Sequence, residues 1–138
     1  MLKSVDISDY MLLHPVKVQA DEDLFTAIDL IFSEKVSGVC VVDTENNLLG
    51  MLSEVDCMRA IISETYNNSG KVGSVSNFMT TEVVCCSLHD NAIDVAADML
   101  KTHQRRRPVI SEGKLVGQIT FRQLLRMVSE FHKQKQSA

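Results

Sequence analysis

Residues 50–56 read GMLSEVD and residues 117–123 read GQITFRQ. Each stretch starts on a glycine, passes through apolar positions to a hydroxyl residue, and follows the same kind of apolar run. The first closes on Asp56, the second on Gln123. One chain therefore writes the same turn twice and places a carboxylate in only one copy. Working outward, a shift of 68 residues lays ISDYM at 7–11 on VSNFM at 75–79 and HPVKV at 14–18 on EVVCC at 82–86. It also lays LFTAIDLIF at 24–32 on AIDVAADML at 92–100, and CVVD at 40–43 on PVIS at 108–111. The register slips by one before the glycine because DTENNLLG is one residue longer than SEGKLVG, in turns that tolerate a length change.

The repeat unit reads as strand, helix, strand, strand, helix. Ser8 and Ser76 are candidate caps for short turns that contain Met11 and Met79. Val16 and Val18, then Val84 and Cys86, alternate as short strands. Asp21 to Asp23, and Asp90 with Asn91, supply polar caps to helices whose apolar faces hold Leu24, Ala27, Ile28 and Ile31, or Ala92, Val95, Ala96 and Met99. Two apolar strands joined by a turn follow at 39–43 and 47–52, and again at 108–111 and 114–120. A closing helix is predicted to turn Met58, Ile61 and Ile62 inward in the first half, and Leu124, Leu125, Val128 and Phe131 in the second. NNSGKVGS at 67–74 has linker composition. The expected organisation is one repeat over 1–66, a linker over 67–74, a second repeat over 75–134 and a tail over 135–138. The class is α+β, two tandem β-α-β-β-α repeats related by a pseudo-twofold axis. Each half is small enough to be marginal alone, so a shared core with a cleft between the halves is expected.

Composition narrows the function. The 138 residues are 45% apolar and carry a net charge of −4, which argues against wholesale electrostatic capture of nucleic acid. The start, MLKSVDISDY, lacks the apolar core of a signal peptide, and runs such as VCVV at 39–42 are far short of a membrane span. A cytoplasmic setting is expected. The four cysteines form no CxxC, and the four histidines show no ligand spacing, so the thiols read as small buried hydrophobes. The chain has neither a P-loop nor GxGxxG, and no nucleophile–base pair or metal motif stands out; no metal site, catalytic residue or catalytic cofactor is predicted, and the protein is not expected to be an enzyme.

In each half a Met, a short strand, a helix with a central Ala, a strand written CVVD or PVI, and Gly-apolar-apolar-Ser/Thr occur in the same order. This pattern resembles the cystathionine-β-synthase (CBS) domain, and two in tandem resemble the CBS pair or Bateman module, here of the stand-alone bacterial type. The resemblance spans residues 7 to about 131. It implies that the repeats bind an adenosyl ligand and that Gly-x-x-Ser/Thr-x-x-Asp holds its ribose. A carboxylate can accept hydrogen bonds from both ribose hydroxyls, at about 1.5–3 kcal/mol for such charge-assisted bonds. Ser53 and Asp56 match these roles. Thr120 keeps the hydroxyl in the second repeat, but Gln123 replaces the aspartate, so one competent site and one degraded site are expected. Capping of the following helix is the alternative role for Asp56. Replacing Asp56 by Ala is expected to weaken ligand binding with little effect on the fold.

In adenine-nucleotide-binding members of that family, a His-Arg-apolar-Pro stretch reaches the phosphates. By position this falls on Arg105 and Arg106, with Arg107 at the apolar place, and Arg122 matches a further basic position. Ser37 and Gly38 occupy the equivalent places in the first repeat, within the degraded site. The resemblance thus implies ribose on the first half and phosphates on the second, where guanidinium forks suit phosphate oxygens. Adenine is expected near Met51, Leu52 and Val84, each of which reads equally well as core. His14-Pro15 and Cys40 depart from the family pattern. The implied protein is a regulatory sensor of cellular energy state, with AMP, ADP or ATP as ligand. A homodimer and a separate effector protein would read it out, since the chain leaves no room for an effector domain. A CBS-pair interaction module without ligand is the alternative. A nucleic-acid surface formed by Arg105 to Arg107 with Arg122 and Arg126 is a further one, although aromatics make up only 5% of the chain.

Overall fold

The computed structural model describes residues 5–67 and 72–137, so part of the predicted 67–74 linker lies outside the described residues. The strand, helix, strand, strand, helix order occurs twice. The first set is β1 (Lys17–Gln19), α1 (Leu24–Ser33), β2 (Gly38–Val42), β3 (Leu48–Ser53) and α2 (Glu54–Asn67). The second is β4 (Cys86–Ser87), α3 (Ala92–Lys101), β5 (Arg106–Ser111), β6 (Lys114–Thr120) and α4 (Phe121–Ser137). In both sheets the first strand runs parallel to the second and the second antiparallel to the third. Both hairpins also carry an irregularity at the same place, between Val41 and Val42 and between Val109 and Ile110. The duplication therefore extends to the register.

Local chemistry accounts for the element boundaries. Asp23 caps α1 through the Phe25 N–H, and Asn91 caps α3 through the N–H groups of Ile93 and Asp94. Asp43 accepts from the N–H groups of Glu45 and Asn47 and closes the first hairpin turn. The short 3₁₀ turns at Ile7–Asp9 and Val75–Asn77 start two residues earlier than the sequence suggests. Asp6 and Ser74 stand at their N-caps, not Ser8 and Ser76, and Ser8 instead donates to the Asp6 carboxylate.

The compact units do not coincide with the sequence repeats. One unit is Pro15–Val83; the other joins Met1–His14 to Val84–Ala138. Each repeat's leading turn thus packs with the other repeat's sheet. Met51 and Thr80 exchange backbone hydrogen bonds of 2.9 and 2.8 Å in the first unit, and Leu12 and Gln118 do the same at 2.8 and 3.0 Å in the second. The glycines that open the two quoted motifs explain how this fits. A Cβ on Gly50 would lie 2.6 Å from the Thr80 carbonyl oxygen, and one on Gly117 would lie 2.6 Å from the Met11 sulfur and 2.9 Å from the Leu12 carbonyl oxygen. Only glycine lets the crossing segment lie directly on the strand.

Each unit has its own core cluster. Val18, Leu24, Ala27, Ile31, Val39, Val41 and Leu52 centre one. Ile7, Tyr10, Ala92, Val95, Met99, Val109 and Ile119 centre the other. The first helices bury the predicted faces. The closing helices are rotated from prediction: α2 buries Cys57 and Ala60 while Met58 and Ile62 are exposed, and α4 buries Leu124 and Met127 while Leu125 and Val128 are exposed. Both helices carry two adjacent apolar stripes, so periodicity alone could not choose which one the sheet would cover.

Candidate functional site

Ser53 ends β3 and Asp56 stands three residues on, in the first turn of α2. The Asp56 carboxylate accepts from the Ser53 N–H at 2.9 Å, while the Ser53 hydroxyl accepts from the Asp56 N–H at 3.1 Å. This is a reciprocal capping box. The Thr80 hydroxyl approaches both carboxylate oxygens at 3.4–3.5 Å, and the exposed Arg59 guanidinium is 3.7 Å from Oδ1. Asp56 is 9% exposed, and its open side faces a concavity of about 240 Å³ shared with Arg59, Ser63, Asn77 and Phe78.

The second motif keeps one half of this cap, without charge. The Thr120 N–H donates to Gln123 Oε1 at 3.0 Å, and the Thr120 hydroxyl donates to the same oxygen. Helix capping therefore does not require the aspartate. Asp56 does the mechanical work of Gln123 and carries in addition a full negative charge with spare acceptor positions. The opening contrast between the copies is thus electrostatic, with the turn conserved in both.

The three consecutive arginines fall in three environments: Arg105 precedes β5, and alternation along the strand sends Arg106 and Arg107 to opposite faces. Arg105 is exposed, and among the described residues it makes no ion pair or side-chain hydrogen bond. Arg106 is half-buried on β5 and stands opposite Thr120 of β6, the position that Gly38 occupies opposite Ser53. Arg107 is only 5% exposed and is fixed by Gln104 Oε1 at 2.9 Å and by an ion pair to Asp98. Arg126 donates to the Asp9 carbonyl oxygen, lies 3.7 Å from Glu130 and sits over the Tyr10 ring. This corrects the five-arginine nucleic-acid surface: Arg107 faces the interior and Arg126 is engaged within its own unit. Arg122 is exposed at the start of α4.

The remaining predicted site residues are placed as follows. Leu52 is fully buried in the core of its unit, so its side chain has the core role. Met51 is half-buried beside Thr80, and Val84 is exposed. Ser37 is exposed and Gly38 buried at the start of β2. Sequence reading missed Arg59, Ser63, Asn77 and Phe78 around Asp56. The three-residue spacing of Asp56 and Arg59 on one helix was the available signal; Asn77 and Phe78 reach the site only through the crossing of the second repeat's leading turn. The thiols are chemically quiet, as burial pushes Cys57 and Cys85 up and Cys86 to about 11. No helix among the described residues is long and apolar enough to cross a membrane.

Two sets of strands and helices in the same order, each with a side chain capping the strand-to-helix turn, define a tandem-repeat module. The CBS domain family matches residues 7–63 and again 72–130, and the chain belongs to that family. The Vibrio cholerae AcuB crystal structure superimposes with a TM-score of 0.85 over 97% of both chains, at 22% identity. Arabidopsis thaliana CBSX2, solved in complex with AMP, gives 0.80 over 94% of this chain and 99% of that one, at 26% identity. The inosine-5′-monophosphate dehydrogenase of Aquifex aeolicus is 32% identical over 118 residues, covering 84% of this chain and 23% of the enzyme. The chain spans between 23% and 39% of the length of the first curated relatives that it matches.

Proposed function

We propose that this chain is a non-catalytic regulatory module that binds an adenine nucleotide of the AMP, ADP or ATP kind. Asp56 takes the ribose hydroxyls, and Arg105, Arg106 and Arg122 take the phosphates. Arg59 is added to these by its place beside Asp56. The observation that carries the reading is the carboxylate: glutamine at 123 also accepts the N–H of its hydroxyl residue, so aspartate at 56 adds charge and acceptor capacity beyond that bond. The similarity to CBSX2, which was solved with AMP, supports an adenosyl ligand. Arginine favours phosphates over a sulfonium group. Binding biases the module by its difference in affinity between conformations, and a second copy of the chain or an effector protein reads that bias.

Calorimetric titration with AMP, ADP, ATP and S-adenosylmethionine tests this. Saturable binding of at least one phosphate-bearing ligand is expected, weakened in Asp56→Gln and in Arg106→Ala. Absence of heat and of any thermal shift at millimolar concentrations of all four would remove the ligand and leave an interaction module. A ligand whose affinity is indifferent to Asp56→Gln would remove the assigned ribose contact.

A further inference from the structure

The residues around Asp56 have counterparts in the other unit, where the same place is filled. The repeat lays Phe78 on Tyr10, and lays Asp56, Arg59, Ala60 and Ser63 on Gln123, Arg126, Met127 and Glu130. Arg126 lies over the Tyr10 ring, 5.9 Å from its centroid, donates to the Asp9 carbonyl oxygen at 3.2 Å and stands 3.7 Å from Glu130. That distance is within cation–π range, so a planar cation covers this ring. Tyr10 and Met127 are both buried in the core of that unit.

Around Phe78 the place is open. Ala60 and Ser63 are smaller than Met127 and Glu130, and with Asp56, Arg59 and Phe78 they line the concavity of about 240 Å³. Phe78 is half-buried, packed on its own core but also bordering that space. Charge accounts for the difference between the arginines. In one unit the neutral Gln123 offers Arg126 no carboxylate, and Glu130 stands beside the guanidinium that covers the ring. In the other, Arg59 lies 3.7 Å from the Asp56 carboxylate, and the uncharged Ser63 does not compete for it. A flat group thus rests on the ring of one copy, whereas the ring of the other borders a cavity.

We propose that this concavity is the base subsite of the ligand, a planar heterocycle stacking on Phe78 in the place that the Arg126 guanidinium takes on Tyr10. The proposal rests on the reading of Asp56 as the ribose ligand and deepens it by assigning the base. Asp56 and Phe78 line the same space, so a sugar held by the carboxylate presents its base directly to the ring. Every base has a π-face, and stacking on an aromatic side chain is an established way to hold one. Phe78 thereby takes the role that the sequence reading gave to Met51, Leu52 and Val84.

The chain contains no tryptophan, so Phe78→Trp gives it a single indole reporter with a larger stacking face. The full chain is titrated with AMP and, at the same concentrations, with ribose 5-phosphate, which has the sugar and phosphate but no base. AMP is expected to quench the indole emission, and ribose 5-phosphate to leave it unchanged. Phe78→Leu keeps an apolar side chain on the core and is the second variant. Calorimetry is expected to show roughly a tenfold loss of AMP affinity in it, the worth of one base–aromatic stack. AMP binding that weakens in Asp56→Gln, yet neither quenches the indole nor weakens in Phe78→Leu, would overturn the base subsite and leave the ribose contact standing. Quenching by AMP together with indifference to Asp56→Gln would keep the subsite and remove the ribose contact. Absence of AMP binding to wild type and to both Phe78 variants would overturn the two together.

Discussion

Asp56 and Gln123 show how much of a motif is mechanics and how much is charge. Both side chains accept from the N–H of the hydroxyl residue three positions earlier, so Asp56→Gln is expected to keep that bond and leave urea stability near that of wild type while removing the proposed ribose acceptor. Charge-assisted bonds of about 1.5–3 kcal/mol correspond to roughly a tenfold to hundredfold loss of AMP affinity by calorimetry. Asp56→Ala removes the cap too. It is expected to lower stability by about 1 kcal/mol in urea titration, contrary to the sequence expectation of little effect on the fold. The arginines divide in the same way. Arg107→Ala leaves the Asp98 carboxylate without its ion pair, while Gln104 keeps the Thr102 hydroxyl, and is expected to cost about 1–3 kcal/mol, at the lower end because Asp98 is half exposed. Arg105→Ala is expected to leave the urea midpoint unchanged and to act on ligand affinity alone. Cys86 gives a pH test. Its folded value of about 11 lies above the ordinary 9.0, so the folded state holds its proton longer. Stability is therefore expected to fall as pH rises from about 9 to about 11. Cys86→Ala should flatten that alkaline limb of a stability–pH profile, although part of its packing is lost.

At the scale of elements, the two leading turns tie each sheet to a segment that belongs to the other repeat. Gly50 and Gly117 allow the crossing, and their substitution tests it. A methyl on Gly50 meets the Thr80 carbonyl at 2.6 Å, a backbone group that must move. Gly50→Ala is expected to destabilise by about 1–3 kcal/mol in urea, typical of overpacking. Gly117→Ala meets first the end of the flexible Met11 side chain, but the Leu12 carbonyl follows at 2.9 Å, so a smaller loss is expected. Enlarging Met11 relief by Met11→Ala in the Gly117→Ala background should recover part of it. The closing helices make the complementary point. One apolar stripe of each packs on its sheet, and the second, with Met58 and Ile62 or Leu125 and Val128, stays exposed.

At the scale of the whole molecule, ligand and stability are linked. A ligand that binds only the folded chain adds about 2.7 kcal/mol at a hundred times its dissociation constant. If AMP is the ligand, the unfolding temperature is expected to rise with AMP concentration in wild type and to need roughly tenfold to hundredfold more AMP for the same rise in Asp56→Gln, as read by scanning calorimetry. The match of the CBS family to both halves, and of AcuB over nearly the entire chain, fits a module in which the duplication itself is the architecture.

The sequence by itself determined the duplication, the order of elements, the hairpins and the first helices' buried faces, because these follow from local turn chemistry and from apolar periods with one solution. It also singled out Asp56 and the unlike Gln123 through the comparison of the two copies of one motif. Only the tertiary structure decided that the leading turns change sheets, that Asp98 and Gln104 hold the buried Arg107, and that α2 and α4 bury Ala60 and Met127 while Met58 and Leu125 stay exposed. Those outcomes rest on which of two comparable surfaces another part of the chain covers. That choice is made by packing between residues far apart in sequence, where no local pattern carries the information.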